Sequence, residues 1–443
     1  MGFLYNIKVN LFLKTGDIMG LIKKVSGVEF LTGRMYSRKE LTDTEVIVDS
    51  DNHAKFPEAE VCGTDLGVPF YNSKNDTMYL LFGDTFGPRG SGITKWRSSV
   101  MSYSTDYDLK DGLTFDGWFS DQNGLYATAV SEGKHYPREE LKERTKIPQG
   151  GIEVNGTVYI YYESIRTWGK PGTWYVNYQG VLKSTDNCKT FERVPDLTWF
   201  TSTTDEHFEY AKYSATWDYW GNDTDAVIDR AEEREAPYFA QCYPVDGKDG
   251  YVYIFGRKAG RQNGVKVARV KYEDIEKFSE HEYYAGNDKE GNPIWIKGYE
   301  GLKAINNDTV GFILASNENE PTSNMSVMYN EYLGKWMFVY FRPAVEDENG
   351  NEIYDNSLGF RLSDVPYGNY GEYHQIFDKS FFTKDGVHHS FMGVDWVFTR
   401  PNSVFYSAFI HEKYTEEKGK VFYLIVSITN PIYNSILMKV ELE

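Results

Sequence analysis

Short runs of alternating, β-branched and aromatic residues recur along the chain, and each begins at a polar or glycine-containing turn. The clearest copies occupy residues 75–83, 155–162, 249–256, 333–340 and 418–425. Each copy combines Asn, Asp or Gly at the turn with aromatic and aliphatic residues, which is typical of a β-strand that leaves a tight turn. Helical periodicity is scarce between the copies, so the pattern predicts an all-β fold.

The copies lie roughly 70 to 95 residues apart, and repeats of this kind are typical of propellers and other ring-shaped or solenoid folds. Five copies predict a five-bladed β-propeller, whose closed ring leaves no long exposed sheet edge. The predicted blades are residues 58–140, 147–205, 236–300, 301–370 and 371–443. The propeller is thus expected to span residues 58–443, and residues 1–57 are expected to lead into it or to close it.

One acidic segment, residues 201–235, interrupts the repeats. It contains Trp217 and Trp220 together with several Asp and Glu residues. Long segments of this kind inside a compact domain are usually functional or disordered. We interpret it as a loop insertion on one face of the propeller, and its end, residues 226–235, is predicted to form a short helix.

A second repeated element follows several of the predicted strands. Residues 183–191 resemble the Asp-box turn of sialidase-type propellers, with Cys188 where that motif has Gly. Ser184 and Asp186 are placed to bond the backbone of their own turn. The element is therefore predicted to be a structural staple, that is, a turn whose side chains stabilise a hairpin and carry no chemistry.

Composition narrows the possible partners. The net charge is −18 with a pI near 5.0, and no Lys/Arg cluster is present, which excludes nucleic acid as an expected partner. No apolar run is long enough to predict a membrane span. The 35 Tyr and 10 Trp suit sugar rings as flat apolar platforms, although a strand-rich core would also require many of them.

The cysteines and the start of the chain say less about cofactors and location. Three widely spaced cysteines, Cys62, Cys188 and Cys242, form neither a disulfide framework nor a zinc site, and no cofactor or metal is expected. Residues 1–13 make a weak signal peptide, and Met19 is an alternative start. An extracellular or cell-surface location follows if the start is processed, and a cytoplasmic one otherwise. The oligomeric state stays open.

Two carboxylates carry the candidate chemistry. Asp65 lies in Gly63-Thr64-Asp65-Leu66-Gly67, and Asp84 lies in Phe82-Gly83-Asp84-Thr85-Phe86. A carboxylate within an apolar strand is costly unless it is paired or hydrogen-bonded. Hydrolysis of a glycosidic bond needs a pair of carboxyl groups across the bond, whereas structural Asp residues that bond turn amides would give the same pattern.

The chain resembles the DUF4185 family (domain of unknown function 4185), which includes endo-D-arabinanases built on a five-bladed propeller. The resemblance runs from about Cys62 to the C-terminus, outside the insertion. The matching stretches are residues 64–67, 82–86, 147–151, 166–169, 172–174, 177–178, 251–256, 260–261, 268–270 and 326–336. The resemblance implies that Asp65 and Asp84 are the catalytic carboxylates of a glycoside hydrolase acting on a furanoside polysaccharide, an arabinan-like glycan.

Further residues are expected to bind the polysaccharide or oligosaccharide substrate. They supply hydroxyl, amide or guanidinium groups and aromatic faces for the sugar hydroxyls and rings. These residues are Thr64, Arg166, Trp168, Trp174, Asn177, Gln241 and Arg261. Trp168 and Trp174 could instead cap the core, and Arg261 could instead form a salt bridge within its blade.

One departure from the family pattern supports an alternative. Asn324 stands where the family often has Glu before the Ser-Val-x-Tyr-Asn run, which would suit a non-catalytic glycan-binding propeller such as an adhesin or receptor-binding module. A sialidase-like enzyme is disfavoured, because that chemistry needs an Arg cluster for the substrate carboxylate. The neighbouring His388 and His389 would point to opposite faces of a strand, so they do not predict a shared metal ion.

Overall fold

Five antiparallel sheets make up most of the computed structural model. The structure describes residues 21–33, 35–36, 47–48, 50–88, 95–170, 172–218, 220–261, 263–314, 320–346, 349, 352–354, 356–378, 404–429 and 433–443. The candidate signal segment at residues 1–13, the alternative start Met19, and His388 with His389 lie outside these described residues.

Each sheet is one blade, and its first strand lies nearest the axis of the ring. Blade 1 contains β4 (Leu66–Asn72), β5 (Thr77–Phe82), β6 (Val100–Ser104) and β7 (Gly117–Trp118). Blade 2 contains β8 (Thr145–Val154), β9 (Thr157–Trp168), β10 (Trp174–Ser184), β11 (Glu192–Arg193) and β12 (Trp199–Phe200). Blade 3 contains β13 (Gln241–Asp246), β14 (Tyr251–Arg257), β15 (Lys266–Lys271), β16 (Glu282–Asn287) and β17 (Pro293–Lys297).

The last two blades follow the same plan. Blade 4 contains β18 (Met325–Asn330), β19 (Lys335–Arg342), β22 (Ser357–Ser363) and β23 (His374–Asp378). Blade 5 contains β24 (Val404–Phe409), β25 (Thr415–Glu416), β26 (Val421–Thr429), β27 (Asn434–Leu442) and β1 (Ile22–Phe30). Two small ribbons pair β2 (Met35–Tyr36) with β3 (Ile47–Val48) and β20 (Val345–Glu346) with β21 (Glu352–Tyr354). The α-helices in the described residues are α1 (Asp51–Lys55), α2 (Phe208–Ser214) and α3 (Gly298–Ile305).

The first strands close a ring. Strand β4 contacts β8, β8 contacts β13, β13 contacts β18, β18 contacts β24, and β24 returns to β4. The five repeat copies form β5, β9, β14, β19 and β26, the second strand of each blade. The prediction of an all-β, five-bladed propeller is therefore confirmed. No helix in the described ranges is long and apolar enough to cross a membrane.

The two ends of the described chain meet in blade 5. Strand β1 pairs antiparallel with β27, from Ile22 opposite Leu442 to Phe30 opposite Ile436. Strand β1 is thus the outermost strand of the sheet that the last residues complete, and ladder hydrogen bonds hold the ring shut.

Glycines allow the first strands to approach closely at the axis. A Cβ on Gly150 would lie 2.4 Å from Cδ of Pro244, and a Cβ on Gly151 would lie 2.4 Å from Cδ1 of Phe70. Both distances are far below van der Waals contact, so a larger residue would force the blades apart. This packing fills the axis between one cavity beside Asp65 and another on the opposite side.

The insertion at residues 201–235 is folded, but its helix is not where the sequence predicted it. Helix α2 buries Phe208, Ala211 and Ser214 on one side. The expected helix at 226–235 is wrong: Arg230 has a left-handed φ of 51°, which interrupts the segment and leaves a single 3-10 turn at Ala231–Glu233.

The turn at residues 183–191 is a staple, as predicted. The Asp186 carboxylate accepts hydrogen bonds from the backbone of Lys189 and Thr190 and from the hydroxyls of Ser184 and Thr190. We expect Asp186→Ala to lower the free energy of unfolding by about 1–2 kcal/mol, because backbone donors lose their partner. Denaturant unfolding measures this loss. A midpoint unchanged from wild type would contradict the structural role.

Candidate active site

A cavity of about 200 Å³ lies where the first strands begin, at one end of the ring axis. All five blades contribute to it. Its lining residues are Asp65, Leu66, Asp84, Ile147, Glu163, Trp168, Trp174, Arg261, Asn324, Tyr406 and Tyr433. The two candidate catalytic carboxylates therefore share one cavity with both candidate tryptophans and Arg261.

The backbone beside Asp65 is strained. Leu66 has a φ of 68° and Gly67 a φ of 84°, and Gly67 is an extra residue in β4 because Leu66 pairs with Phe82 and Val68 with Leu81. A left-handed non-glycine residue costs about 1–3 kcal/mol and persists where its surroundings hold it. The Leu66 N–H donates to the Ser427 hydroxyl at 2.7 Å, which fixes this bulge.

The Asp65 carboxylate is held by two tyrosines. The Tyr406 hydroxyl donates to Asp65 Oδ2, and the Tyr433 hydroxyl also bonds the carboxylate. Burial raises the pKa of Asp65 to about 6, while Tyr406, Tyr433 and the Arg261 guanidinium limit the rise. Gly83 leaves room for the carboxylate, since a Cβ there would lie 2.3 Å from Asp65 Oδ1.

Asp84 lies in a different environment. Its Oδ1 accepts hydrogen bonds from Trp96 Nε1 at 2.7 Å and from the Thr145 hydroxyl at 2.6 Å. Burial raises the pKa of Asp84 to about 7, and the negative charge of Asp65 raises it further, whereas the two donors lower it. Both carboxyl groups therefore have raised pKa values, each limited by its own set of donors, although they line one cavity.

Glu163 is a third carboxyl group in the cavity, and sequence reasoning missed it. It accepts hydrogen bonds from Gln149 Nε2 at 2.8 Å and from Trp174 Nε1 at 3.0 Å. Burial raises the pKa of Glu163, and the Trp174 N–H, Arg257 and other neighbours oppose this rise. The rule that singled out the two Asp residues applies here too, because Glu163 lies within the apolar strand β9.

Arg261 and the two tryptophans form an aromatic and cationic wall. The Arg261 guanidinium lies 4.3 Å from the ring centroid of Tyr406 and 5.6 Å from that of Trp174. Trp168 and Trp174 are cross-strand partners with ring centroids 5.6 Å apart in an edge-to-face arrangement. Flat rings beside planar donors are the groups that bind sugars.

Three first strands carry a β-bulge near the cavity, and one of the bulge residues, Tyr406, lines it. Gly67 in β4, Gln149 in β8 and Tyr406 in β24 are each an extra residue without a direct partner on the neighbouring strand. Bulges are frequent beside active sites because they re-aim a side chain. All three occur in first strands, close to the axis.

The sequence matches the family described as Domain of unknown function (DUF4185) over residues 50–439, nearly the whole propeller. The chain belongs to the DUF4185 family. No curated protein gives a significant match.

Solved structures resemble this chain over most of its length at low identity. A putative hydrolase from Bacteroides ovatus is 12% identical with a TM-score of 0.50, over 92% of this chain and 93% of the other. An alpha-L-arabinanase of Cellvibrio cellulosa with bound arabinohexaose is 11% identical with a TM-score of 0.41, over 85% and 96%. An arabinanase of Bacillus subtilis is 11% identical with a TM-score of 0.37, over 85% and 95%.

Two expected substrate-binding residues of this DUF4185 protein lie outside the cavity lining. Arg166 Nε donates to Asn177 Oδ1 at 2.9 Å, and Arg166 Nη1 donates to Asp205 Oδ2 at 3.1 Å. The Asn177 amide in turn donates to the Ser164 hydroxyl at 3.2 Å. Arg166 and Asn177 are therefore brought together, and they tie the insertion to the end of β9.

Thr64 and Gln241 are buried behind the cavity of the DUF4185 protein. The Thr64 hydroxyl bonds the Thr85 hydroxyl at 2.7 Å, which links the segments that carry the two Asp residues. Gln241 is 1% exposed and lies beside Glu163, whose pKa it lowers. Neither residue is on the cavity lining.

Other features of the DUF4185 protein concern metal and cysteine chemistry. Within the described ranges, no group of three or more His, Cys, Asp or Glu residues is arranged to hold a metal ion. All three cysteines are buried and lack a disulfide.

Asn324 lines the cavity, and its amide donates to Gln149 Oε1 at 3.2 Å.

Proposed function

We propose that this protein is a glycoside hydrolase that cleaves a furanoside polysaccharide, an arabinan-like glycan, in the manner of an endo-D-arabinanase. The observation that carries the proposal is the pair Asp65 and Asp84 on one cavity, with pKa values of about 6 and 7. Carboxyl groups whose environments separate their pKa values are suited to be the base and the acid of one reaction.

The charges around the cavity support one assignment of the two roles. Arginine keeps its proton in proteins, and the positive charge of Arg261 lowers the pKa of Asp65, while those of Arg257 and Arg261 lower the pKa of Glu163. The hydrogen-bond donors to Asp84 are neutral groups. Asp84 therefore keeps its proton at higher pH and serves as the acid that protonates the leaving oxygen.

Asp65 serves as the base or nucleophile. Its carboxylate accepts a hydrogen bond from the Tyr406 hydroxyl and lies near the Arg261 guanidinium, and both interactions stabilise the charged form. Trp168 and Trp174 offer apolar surface to the sugar ring, and Arg261 offers donors to its hydroxyls. The cavity volume is below the range for drug-sized ligands and suits one sugar unit of a longer chain.

The protonation states predict a bell-shaped dependence of kcat/KM on pH. Activity needs ionised Asp65 and protonated Asp84, so it should rise through about pH 6 and fall through about pH 7. Tyr406→Phe removes a donor that lowers the pKa of Asp65, so the acid limb should move to higher pH. Initial rates across pH 4.5–9 test this, and an acid limb unmoved in the variant would contradict the role of Asp65.

The decisive experiment is product release from a panel of glycans that includes arabinans and arabinogalactans. Wild type is compared with Asp84→Asn on each polymer. Oligosaccharides released from one polymer by wild type alone would establish the hydrolase and its substrate. No release from any polymer would refute the proposal.

A second candidate function is a non-catalytic glycan-binding propeller. It is favoured by Asn324, an amide on the cavity lining where relatives often carry a carboxylate. The same aromatic wall would then bind a glycan with Asp65 and Asp84 as hydrogen-bond acceptors only. Retention of a glycan in a pull-down, without product, would support this function over hydrolysis.

A further inference from the structure

The insertion presents aromatic side chains to solvent. Trp220 is 71% exposed and Tyr213 is 49% exposed. Burying a large aromatic side chain is usually favourable, so two exposed aromatic side chains on one short segment are candidates for contact with a ligand. The Tyr213 hydroxyl donates to Asp223 Oδ2 at 3.2 Å, directly after the turn that carries Trp220. We name Trp220 and Tyr213 the distal platform.

The turn that carries Trp220 is pre-organised. Asp218 Oδ1 accepts the Asn222 N–H at 2.8 Å, and Asp218 Oδ2 accepts the Asn222 side-chain amide at 3.0 Å. The Gly221 N–H donates to the Asp218 carbonyl at 3.0 Å. An aromatic side chain on a fixed turn loses little conformational entropy when it binds a ligand.

The platform lies on the same face of the propeller as the cavity. The insertion follows β12 and precedes the start of β13, and first strands begin at the cavity end of the ring. Asp205 in the insertion pairs with Arg166 near the end of β9, and Trp168 at that end lines the cavity. Topology and the ion pair therefore agree on this placement.

A row of contacts joins the platform to the loop before blade 2. The ring of Tyr213 contacts Trp217 at 5.4 Å between centroids, and Trp217 contacts Tyr210 at 6.1 Å. Tyr210 then contacts Tyr136 of the loop at 6.3 Å. Lys134 of the same loop lies 5.0 Å from the Trp217 ring centroid, which fastens the insertion to the loop.

The loop continues the row to the candidate acid. Arg144 Nη1 donates to the Tyr136 carbonyl at 3.0 Å, and its guanidinium lies 4.8 Å from the ring centroid of Trp96. Trp96 donates to Asp84. These contacts run from Tyr213 of the platform to the Asp84 side chain, with the buried Trp217 ring and the Arg144 guanidinium among them.

We propose that the distal platform is a second glycan-binding subsite. It holds a remote part of the same polysaccharide whose scissile glycosidic bond lies at Asp84. This inference rests on the proposed function. The insertion holds ten Asp and Glu against three Lys and Arg, so the ligand is a neutral glycan and not an anionic one. Aromatic faces bind neutral sugars through their apolar C–H surfaces.

The test compares long with short ligands. An Asp84→Asn background prevents turnover, and calorimetry gives Kd for arabino-oligosaccharides of trisaccharide and octasaccharide length. The background protein should bind the octasaccharide more tightly, and Trp220→Ala should reduce the ratio of the two affinities by about tenfold. Trp220→Phe, which keeps a ring, should recover part of the ratio.

Tyr332→Ala is the matched control, because Tyr332 is 44% exposed in the turn after β18, on the opposite face. It should keep the background ratio. The inference is overturned if Trp220→Ala keeps the ratio of the two affinities. It is also overturned if both variants lose the ratio equally, because the loss is then not specific to the platform. Failure of the proposed function is recognised separately: wild type then releases no product from any glycan, and the inference falls with it.

Discussion

Replacing Asp65 or Asp84 with Asn is expected to lower kcat by about 10²- to 10⁴-fold on every glycan that the wild type cleaves. Asn at position 65 supplies neither a base nor a nucleophile, and Asn at position 84 has no acidic proton to give. Asn keeps the shape of Asp, and its carbonyl oxygen can still accept the hydroxyl of Tyr406 or the N–H of Trp96. The loss should therefore appear in turnover without a loss of structure.

The same variants should be more stable than wild type at neutral and alkaline pH. Folding raises the pKa of Asp65 to about 6 and that of Asp84 to about 7, so the folded state prefers both groups protonated. This preference stabilises the fold at low pH and is lost as the pH rises through about 6 and 7. Each Asn should add about 1–3 kcal/mol at pH 8, and little near pH 4.

Thermal unfolding at several pH values, measured beside kcat, checks both effects. Asp364→Asn is the control, since Asp364 is an exposed carboxylate paired with Lys335. It should leave turnover unchanged and shift stability by less than about 1 kcal/mol. If both cavity variants keep a kcat within a few fold of wild type, Asp65 and Asp84 are not the catalytic carboxylates.

The second large effect is expected at Glu163. Arg257 is 1% exposed and donates to the backbone carbonyls of Gly260 and Thr322, and the negative charge of the nearby Glu163 carboxylate favours its protonated form. Glu163→Gln leaves this cation buried without a counter-charge. We expect the free energy of unfolding to fall by about 3–5 kcal/mol.

Urea unfolding of Glu163→Gln and of the double variant with Arg257→Gln tests the pair. The double variant should recover part of the stability, because it removes the unpaired charge. Glu276→Gln is the matched control at a partly exposed ion pair with Lys183, where a loss of at most about 1 kcal/mol is expected. An equally small loss at Glu163 would show that it carries no charge in the folded protein.

Repeats and buried charges were the parts of this structure that the sequence could predict. The turn-and-strand pattern recurs once per blade, so five copies gave the architecture. Asp65 and Asp84 stood out as charges in apolar runs, and the structure places them just outside the strands β4 and β5, with Trp168, Trp174 and Arg261 on one cavity. Glu163 follows the same rule and was overlooked among the aromatic residues of its strand.

Other residues could not be assigned from the sequence. Tyr406 bonds Asp65 across 341 positions of the chain, and it does so from a bulge. One extra residue in a strand reverses which side chains face the axis, and composition gives no sign of it. Arg166 and Asn177 lie on neighbouring strands near the cavity, but their side chains bond each other and the insertion.

The pairing of β1 with β27 makes the order of synthesis matter for this fold. Lys23 and Glu441, which pair across these strands, are 418 positions apart, so this closure is among the last contacts that a growing chain can make. Asp65 emerges early, whereas Tyr406 and Tyr433 emerge near the end. A nascent chain therefore carries Asp65 without its hydroxyl partners, and the cavity is complete only after the whole ring has left the ribosome.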